Sequence, residues 1–126
     1  MPLTSGTRLG AYEIVGLIGS GGMGEVYRAR DGRLDRTVAI KILPLRVAAD
    51  PNVKQRFERE AKALASLSHP HICSVFDVGH ATTEQGAIDF LVIEYLEGET
   101  LAQRLGRGPL SATDALRCAV EIADAL

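Results

Sequence analysis

The pattern of hydrophobic and polar positions predicts a hairpin and a third strand near the start of the chain. The segments "YEIVGLIG" from Tyr12 and "GEVYRAR" from Gly24 each carry β-branched or aromatic residues, and a glycine-rich tip separates them. Two such runs joined by glycines are typical of a β-hairpin. The turn residues "DGRLD" from Asp31 then lead into "TVAIKIL", which predicts a strand over residues 37–43.

The middle of the chain predicts one helix and two further strands. Asp50 followed by Pro51 is typical of a helix N-cap with proline in the first turn, and the helical periodicity continues until "SHP" ends it. Two strands follow, near residues 72–78 and 88–95, and the polar segment "GHATTEQG" predicts the turn between them.

The last quarter of the chain predicts two helices. "GETLAQRLGRG" indicates a short helix that glycine ends. Ser111 and Asp114 resemble a capping box at the start of an Ala- and Leu-rich helix that continues to Leu126. Because this helix carries a broad apolar stripe, we expect it to need packing partners that the 126 residues do not supply.

Composition excludes several classes of partner. Fourteen Lys and Arg residues against sixteen Asp and Glu residues give a net charge of -2, so no strong positive field attracts nucleic acid or an anionic membrane. No apolar run approaches the roughly 18 residues of a membrane span, and we expect a soluble, cytoplasmic chain. Cys73 and Cys118 lack the spacing of metal ligands, so we expect two reduced core cysteines, and no metal site is predicted.

The glycine-rich tip, "GSGGMG" from Gly19 to Gly24, has the spacing G-x-G-x-x-G, which by itself leaves a simple turn and several nucleotide-binding loops open. A dinucleotide-binding fold, and with it hydride transfer, requires a helix after the last glycine, but "EVYRAR" favours a strand. A Walker loop requires Gly-Lys-Ser/Thr, whereas this tip continues as Gly24-Glu25-Val26. There remains a hairpin that could lie close over phosphate groups, because glycine has no Cβ to keep the backbone away.

Lys41 and Glu60 form a second candidate feature. Strand alternation places Lys41 on the face of Ala39, between apolar neighbours, and helical spacing places Glu60 on a stripe with Phe57, Leu64 and Leu67. Pairing a buried ammonium with a buried carboxylate would offset the cost of removing both charges from water. This predicts an ion pair between Lys41 and Glu60, with the Lys41 ammonium within reach of a phosphate. The alternatives are a solvated lysine at the strand end and a Glu60 side chain that reaches solvent at the helix edge.

Together these motifs resemble a protein kinase, specifically the bacterial eukaryotic-like (Hanks-type) serine/threonine kinases. The resemblance lies in "GSGGMGEV" for the glycine-rich loop, "VAIK" ending at Lys41, and Glu60 on the following helix. "SHPHI" resembles the His-Pro-Asn-Ile segment after that helix, with His71 in place of asparagine, and His69 is interpreted as a joint residue. Serine/threonine specificity is implied by "GSGGMGEVYRARD" and "LDRTVAIKIL".

The resemblance implies an α+β fold of the protein-kinase type, in which a small lobe has a five-stranded antiparallel sheet plus one regulatory helix. On this basis residues 1–11 are an N-terminal extension, residues 12–96 are the small lobe and hinge, and residues 97–126 begin a helical large lobe that is truncated inside a helix.

The resemblance also implies a set of ATP-binding residues. Ile93 corresponds to the gatekeeper, and the hinge comprises Glu94, Tyr95 and Leu96, with main-chain groups of Glu94 and Leu96 bonding adenine. Val26 and Ala39 would cover the adenine ring, and the tip would close over the phosphates. The full predicted set is Ile18, Gly19, Ser20, Gly21, Gly22, Met23, Gly24, Glu25, Val26, Ala39, Lys41, Ile93, Glu94, Tyr95 and Leu96, with Lys41 and Glu60 as the catalytic ion pair.

The 126 residues contain no His-Arg-Asp, Asp-Phe-Gly or Ala-Pro-Glu motif. The catalytic aspartate and the ligands of Mg²⁺, which the complete domain is expected to use, are therefore absent. We interpret the chain as the ATP-binding fragment of a kinase that phosphorylates protein Ser/Thr hydroxyls, and we expect it to be inactive alone. Protein substrates would contact the missing large lobe. The alternative is a stand-alone half-kinase that acts as a non-catalytic nucleotide-binding or docking module.

Overall fold

The computed structural model describes residues 3–21, 24–43, 49–84 and 86–126. It contains six strands and three helices in these ranges. The strands are β1 (Arg8–Leu9), β2 (Tyr12–Gly21), β3 (Gly24–Asp31), β4 (Arg36–Ile42), β5 (Val75–Thr83) and β6 (Gly86–Glu94). The helices are α1 (Pro51–Ala65), α2 (Leu101–Leu105) and α3 (Ala112–Ala125).

All six strands belong to one antiparallel sheet with the order β1-β2-β3-β4-β6-β5. Tight hairpins join β2 to β3, β3 to β4 and β5 to β6, whereas α1 lies in the longer connection from β4 to β5. The sheet curls until β1 lies against β5. Across this closure the Tyr12 hydroxyl donates a hydrogen bond to Asp77 Oδ2 at 2.9 Å.

The curled sheet encloses the main hydrophobic core on its concave face. Alternation along β3, β4 and β6 directs every second side chain to this face, where burial of apolar surface stabilises the fold. The core consists of Leu9, Tyr12, Ile14, Tyr27, Ala29, Val38, Ile40, Phe90 and Val92. Among the described residues, Asp31 is the one buried charged residue; its Oδ1 accepts from the main-chain N–H groups of Arg33 at 3.0 Å and Leu34 at 3.3 Å.

The antiparallel sheet and its accompanying helix confirm the predicted fold class. The five predicted strands form, and β1 adds a sixth because Arg8 and Leu9 pair with Glu13 and Tyr12. The residues before Tyr12 thus contribute to the sheet, and the division of the chain into domains stays a prediction.

The boundaries of β5 differ from the prediction. It begins at Val75 and continues to Thr83, through most of the segment predicted as a turn. The hairpin with β6 closes between Thr83 and Gly86, whose φ of +105° suits glycine. Of the polar residues in this segment, His80 and Thr82 lie on exposed positions of β5.

Helices α1 and α3 begin at the predicted caps, and α2 begins at a cap that was not predicted. Asp50 Oδ1 accepts from the N–H of Asn52 at 3.0 Å at the start of α1, and Ser111 Oγ accepts from the N–H of Asp114 at 3.1 Å at the start of α3. Thr100 and Gln103 form a reciprocal capping box at α2. Neither α2 nor α3 contains a buried residue.

Candidate functional site

The glycine-rich tip lies at the end of the hairpin between β2 and β3. Gly19 pairs with Val26, Ser20 with Glu25 and Gly21 with Gly24, and Gly24 has a φ of +98°. A Cβ added to Gly19 would meet no protein atom within 4 Å, so packing within the chain does not require glycine there. The predicted contacts of Gly22 and Met23 lie outside the described residues.

One row of paired residues crosses the sheet beneath this hairpin. Val26 on β3 pairs with Lys41 on β4, which pairs with Leu91 on β6. Directly paired residues of antiparallel strands carry their side chains on the same face of the sheet. Lys41 is half-buried in this row, on the face opposite to the core, as strand alternation predicts.

A second row lies beside the first on the same face. Ala39 pairs with Ile93, and Ala39 is only 5% exposed although it faces away from the core. The small Ala39, the β-branched Val26 and the half-buried Ile93 therefore form an apolar surface next to the Lys41 ammonium. Such a surface suits a planar ring with a charged group attached to it. Ile18 is 51% exposed and Ser20 is exposed at the neighbouring hairpin.

The side chain of Glu25 lies on the other face of the sheet, the face of Tyr27. The Tyr27 hydroxyl donates to the Glu25 carboxylate and accepts from the N–H of Leu3 at 2.8 Å. Burial, followed by this hydrogen bond to Glu25, raises the pKa of Tyr27 to about 12. The place of Glu25 in the ATP-binding set stays a prediction.

The predicted ion pair between Lys41 and Glu60 is not formed in the structure. Among the described residues, no acidic group lies within 4.0 Å of the Lys41 ammonium, and Glu60 is exposed. Helix α1 instead directs Ala61, which is 3% exposed, and the half-buried Phe57 toward the sheet. The Lys54 ammonium, on the helical turn before Phe57, lies 3.3 Å from Asp89 Oδ1 on β6. The predicted stripe is wrong for Leu64 and Leu67, which are 45% and 49% exposed.

The hinge residues follow directly from the last pair of the sheet. Glu94 ends β6, Tyr95 is half-buried and Leu96 is 61% exposed. The N–H of Glu94 donates to the carbonyl oxygen of Ser74 at 2.9 Å, and the N–H of Ser74 donates to Glu94 Oε1 at 3.2 Å. The start of the hinge is thus bound to the residues that precede β5.

Sequence reasoning missed Cys73 and Ser74 as neighbours of the hinge. The Cys73 thiol lies 3.7 Å from the carbonyl oxygen of Glu94, and both burial and the charge of Glu94 raise the pKa of this thiol. The predicted hairpin of β5 and β6 could have indicated this proximity. Residues that precede the first strand of a hairpin lie beside those that follow the second strand. The prediction of a core position for Cys73 is wrong, since the residue is exposed.

His69 lies at the joint between α1 and β5, as its interpretation as a joint residue requires. Its Nδ1 accepts from the N–H of His71 at 3.0 Å, and its Nε2 lies 3.4 Å from Asp124 Oδ2 on α3.

A cavity of about 260 Å³ adjoins this joint, and none of its lining residues belongs to the predicted ATP-binding set. It is lined by His71, Leu101, Cys118, Glu121 and Ile122.

The residues that the structure describes contain no group of three or more His, Cys, Asp or Glu side chains able to hold a metal ion. The same residues therefore contain no cage that would hold a metal ion through three or more of these side chains. None of the helices in the same part of the chain is long and apolar enough to span a membrane.

Comparison with known proteins gives consistent matches over most of the chain. Residues 12–126 match the family described as protein kinase domain. The serine/threonine-protein kinase PknB of Mycobacterium leprae is 41% identical over 116 residues, which cover 91% of this chain and 19% of PknB. The serine/threonine-protein kinase PrkC of Bacillus subtilis is 44% identical over 118 residues, which cover 93% of this chain and 18% of PrkC.

Solved structures give the same result. The crystal structure of the PknI kinase domain of Mycobacterium tuberculosis superimposes with a TM-score of 0.81 at 29% identity, and the match covers 98% of this chain and 50% of that domain. The chain therefore spans about half of a kinase domain, and less than a fifth of the two curated relatives.

Proposed function

Because the chain belongs to the protein kinase domain family, we propose that it binds ATP on the sheet face beneath the glycine hairpin. The observation that carries this proposal is the paired row Val26, Lys41 and Leu91, with Ala39 and Ile93 beside it. The two rows combine an apolar surface for a base with the half-buried Lys41 ammonium for the phosphates.

Each part of ATP has a candidate partner in this arrangement. The adenine ring would lie against Val26 and Ala39, with the carbonyl of Glu94 and the N–H of Leu96 bonding its edge. The triphosphate would extend toward Lys41, because an ammonium attracts phosphate oxygens strongly where water is partly excluded. Main-chain N–H groups of the hairpin, from Gly19 to Gly21, would approach the phosphates from above, since glycine allows such close contact.

The role of Glu60 in this proposal requires a movement of α1. In the structure Lys41 has no carboxylate partner in the described part of the chain, so its ammonium is available to a phosphate. We expect Glu60 to approach Lys41 only when α1 turns its exposed Glu60 side toward the sheet. Attraction between the two charges would favour this movement, and the removal of water from both would oppose it.

Phosphoryl transfer to Ser or Thr hydroxyls of proteins is the activity that we propose for the complete kinase, by analogy with the serine/threonine-protein kinases named above. When bound, Mg²⁺ neutralises charge on the transferred phosphate. Because the 126 residues contain neither a His-Arg-Asp nor an Asp-Phe-Gly motif, we assign only nucleotide binding to this chain and expect it to transfer no phosphate from labelled ATP to a protein substrate. Nucleotide binding without phosphoryl transfer is also what the alternative, a non-catalytic binding module, would show.

The test is calorimetric titration of the 126-residue chain and its Lys41→Met variant with ATP and with adenosine. Loss of a charge-assisted contact to phosphate should weaken ATP binding by about 10- to 100-fold. Adenosine has no phosphate, so its affinity should not change. Lys62→Met is the matched control, because Lys62 is exposed on α1 and should leave both affinities unchanged. Equal ATP affinity in the wild type and Lys41→Met would exclude the assigned phosphate contact.

A further inference from the structure

The carbonyl of Glu94 stands where the chain leaves the sheet. Glu94 is the last residue of β6, and its N–H and its carboxylate are both bonded to Ser74. These bonds fix the side chain of Glu94 and the peptide group before it. They do not hold the next peptide group, which carries the Glu94 carbonyl and connects to Tyr95 outside the strand.

Cys73 contacts this carbonyl directly. Its Sγ lies 3.7 Å from the Glu94 carbonyl oxygen, closer than the 4.0 Å to the carbonyl oxygen of Ser74. A protonated thiol at this distance donates toward the oxygen, and burial followed by the charge of Glu94 raises the pKa of the thiol, which favours the protonated form. A thiol is a weak donor, and a carbonyl oxygen has two lone pairs. The oxygen can therefore accept one further, stronger hydrogen bond.

We propose that Cys73 is a positioning residue for purine recognition. Its S–H orients the Glu94 carbonyl so that the second lone pair accepts from the 6-amino group of the bound base. This inference rests on the proposed function, which assigns the Glu94 carbonyl to adenine. It extends that function by making the preference for a 6-amino purine dependent on a side chain that does not itself contact the nucleotide.

The experiment compares ATP with purine riboside triphosphate, which lacks the 6-amino group, by calorimetric titration of the 126-residue chain. In Cys73→Val the donor is lost, and we expect ATP to bind about three- to tenfold more weakly. The affinity for purine riboside triphosphate should stay the same. Cys73→Ser supplies a hydroxyl donor and should restore the preference for ATP. Cys118→Val is the matched control, because this thiol lines the separate cavity beside α3.

The outcomes separate this inference from the proposed function. An unchanged preference for ATP in Cys73→Val overturns the role of Cys73 alone. Equal weakening of both nucleotides indicates a structural effect and also overturns it; circular dichroism spectra of each variant check the fold. If the wild type shows no preference for ATP, the assignment of the Glu94 carbonyl fails, and the role of Cys73 fails with it.

Discussion

Gly79 and Phe90 form a close contact between β5 and β6. They are directly paired, and a Cβ added to Gly79 would lie 2.3 Å from Phe90 Cζ, far closer than van der Waals contact. The ring cannot move freely, because Phe90 is 3% exposed and packs edge-to-face against Tyr12. We therefore expect Gly79→Ala to lower the free energy of unfolding by about 1–3 kcal/mol, measured by urea denaturation.

Gly16→Ala is the matched control for this substitution. Gly16 also lies in a strand, β2, but a Cβ added there would meet no atom within 4 Å. Alanine in open space should leave stability unchanged or raise it slightly, because it restricts the unfolded chain. Equal stability of Gly79→Ala and Gly16→Ala would contradict the assigned contact with Phe90.

The residues of the candidate site show what strand alternation can predict. Its period of two is local, so the sequence alone places Lys41 and Ala39 on one face of β4. The same rule places Glu25 opposite to Val26, in agreement with its hydrogen bond to Tyr27. The predicted contact of Glu25 came from the family motif, which specifies a position in the chain but not whether side chain or backbone makes the contact.

At the scale of elements, the strands and helix caps could be predicted, whereas the orientation of α1 could not. Hairpins and caps depend on neighbouring residues, and Asp50 and Ser111 cap the helices as predicted. Orientation depends on which distant surface the helix meets. The apolar stripe through Phe57 and Leu64 indicates residues suited to burial, but the side that packs is centred on Ala61, so Phe57 is half-buried and Leu64 is exposed.

The ion pair between Lys54 and Asp89 contributes to that orientation. It joins the first turns of α1 to β6, and the side chain of Asp89 is only 16% exposed. His80 Nδ1 also lies 3.2 Å from Asp89 Oδ1. A double-mutant cycle with Lys54→Met and Asp89→Asn should give a coupling of about 1 kcal/mol, near the upper range for partly exposed pairs. Urea denaturation of the four chains measures it.

The control cycle pairs Lys62→Met with Asp89→Asn. Lys62 is exposed near the other end of α1 and has no ion-pair partner among the described residues, so the two changes should be additive. A coupling free energy as large as that between Lys54 and Asp89 would show that general electrostatic attraction between α1 and Asp89 accounts for the measured coupling. In that case α1 would not be held by the specific contact at Asp89.

At the scale of the whole molecule, burial is divided unequally between the sheet and the last two helices. The fully buried side chains of Tyr27, Val38, Ile40 and Val92 belong to three adjacent strands of the sheet. Helix α3 has no buried residue, and Leu116 and Val120 are 67% and 66% exposed. An unpacked helix of this length has little stability of its own.

This difference predicts the pattern of amide hydrogen exchange in the 126-residue chain. Amides of β3, β4 and β6 should open only with global unfolding, because they surround the core. Amides of α3 should exchange at least about 100-fold faster, because local opening of this helix exposes almost no further apolar surface. Mass spectrometry of peptic fragments can measure both. Protection of α3 equal to that of β4 would mean that the joint at His69 and Asp124 makes α3 part of the same cooperative unit.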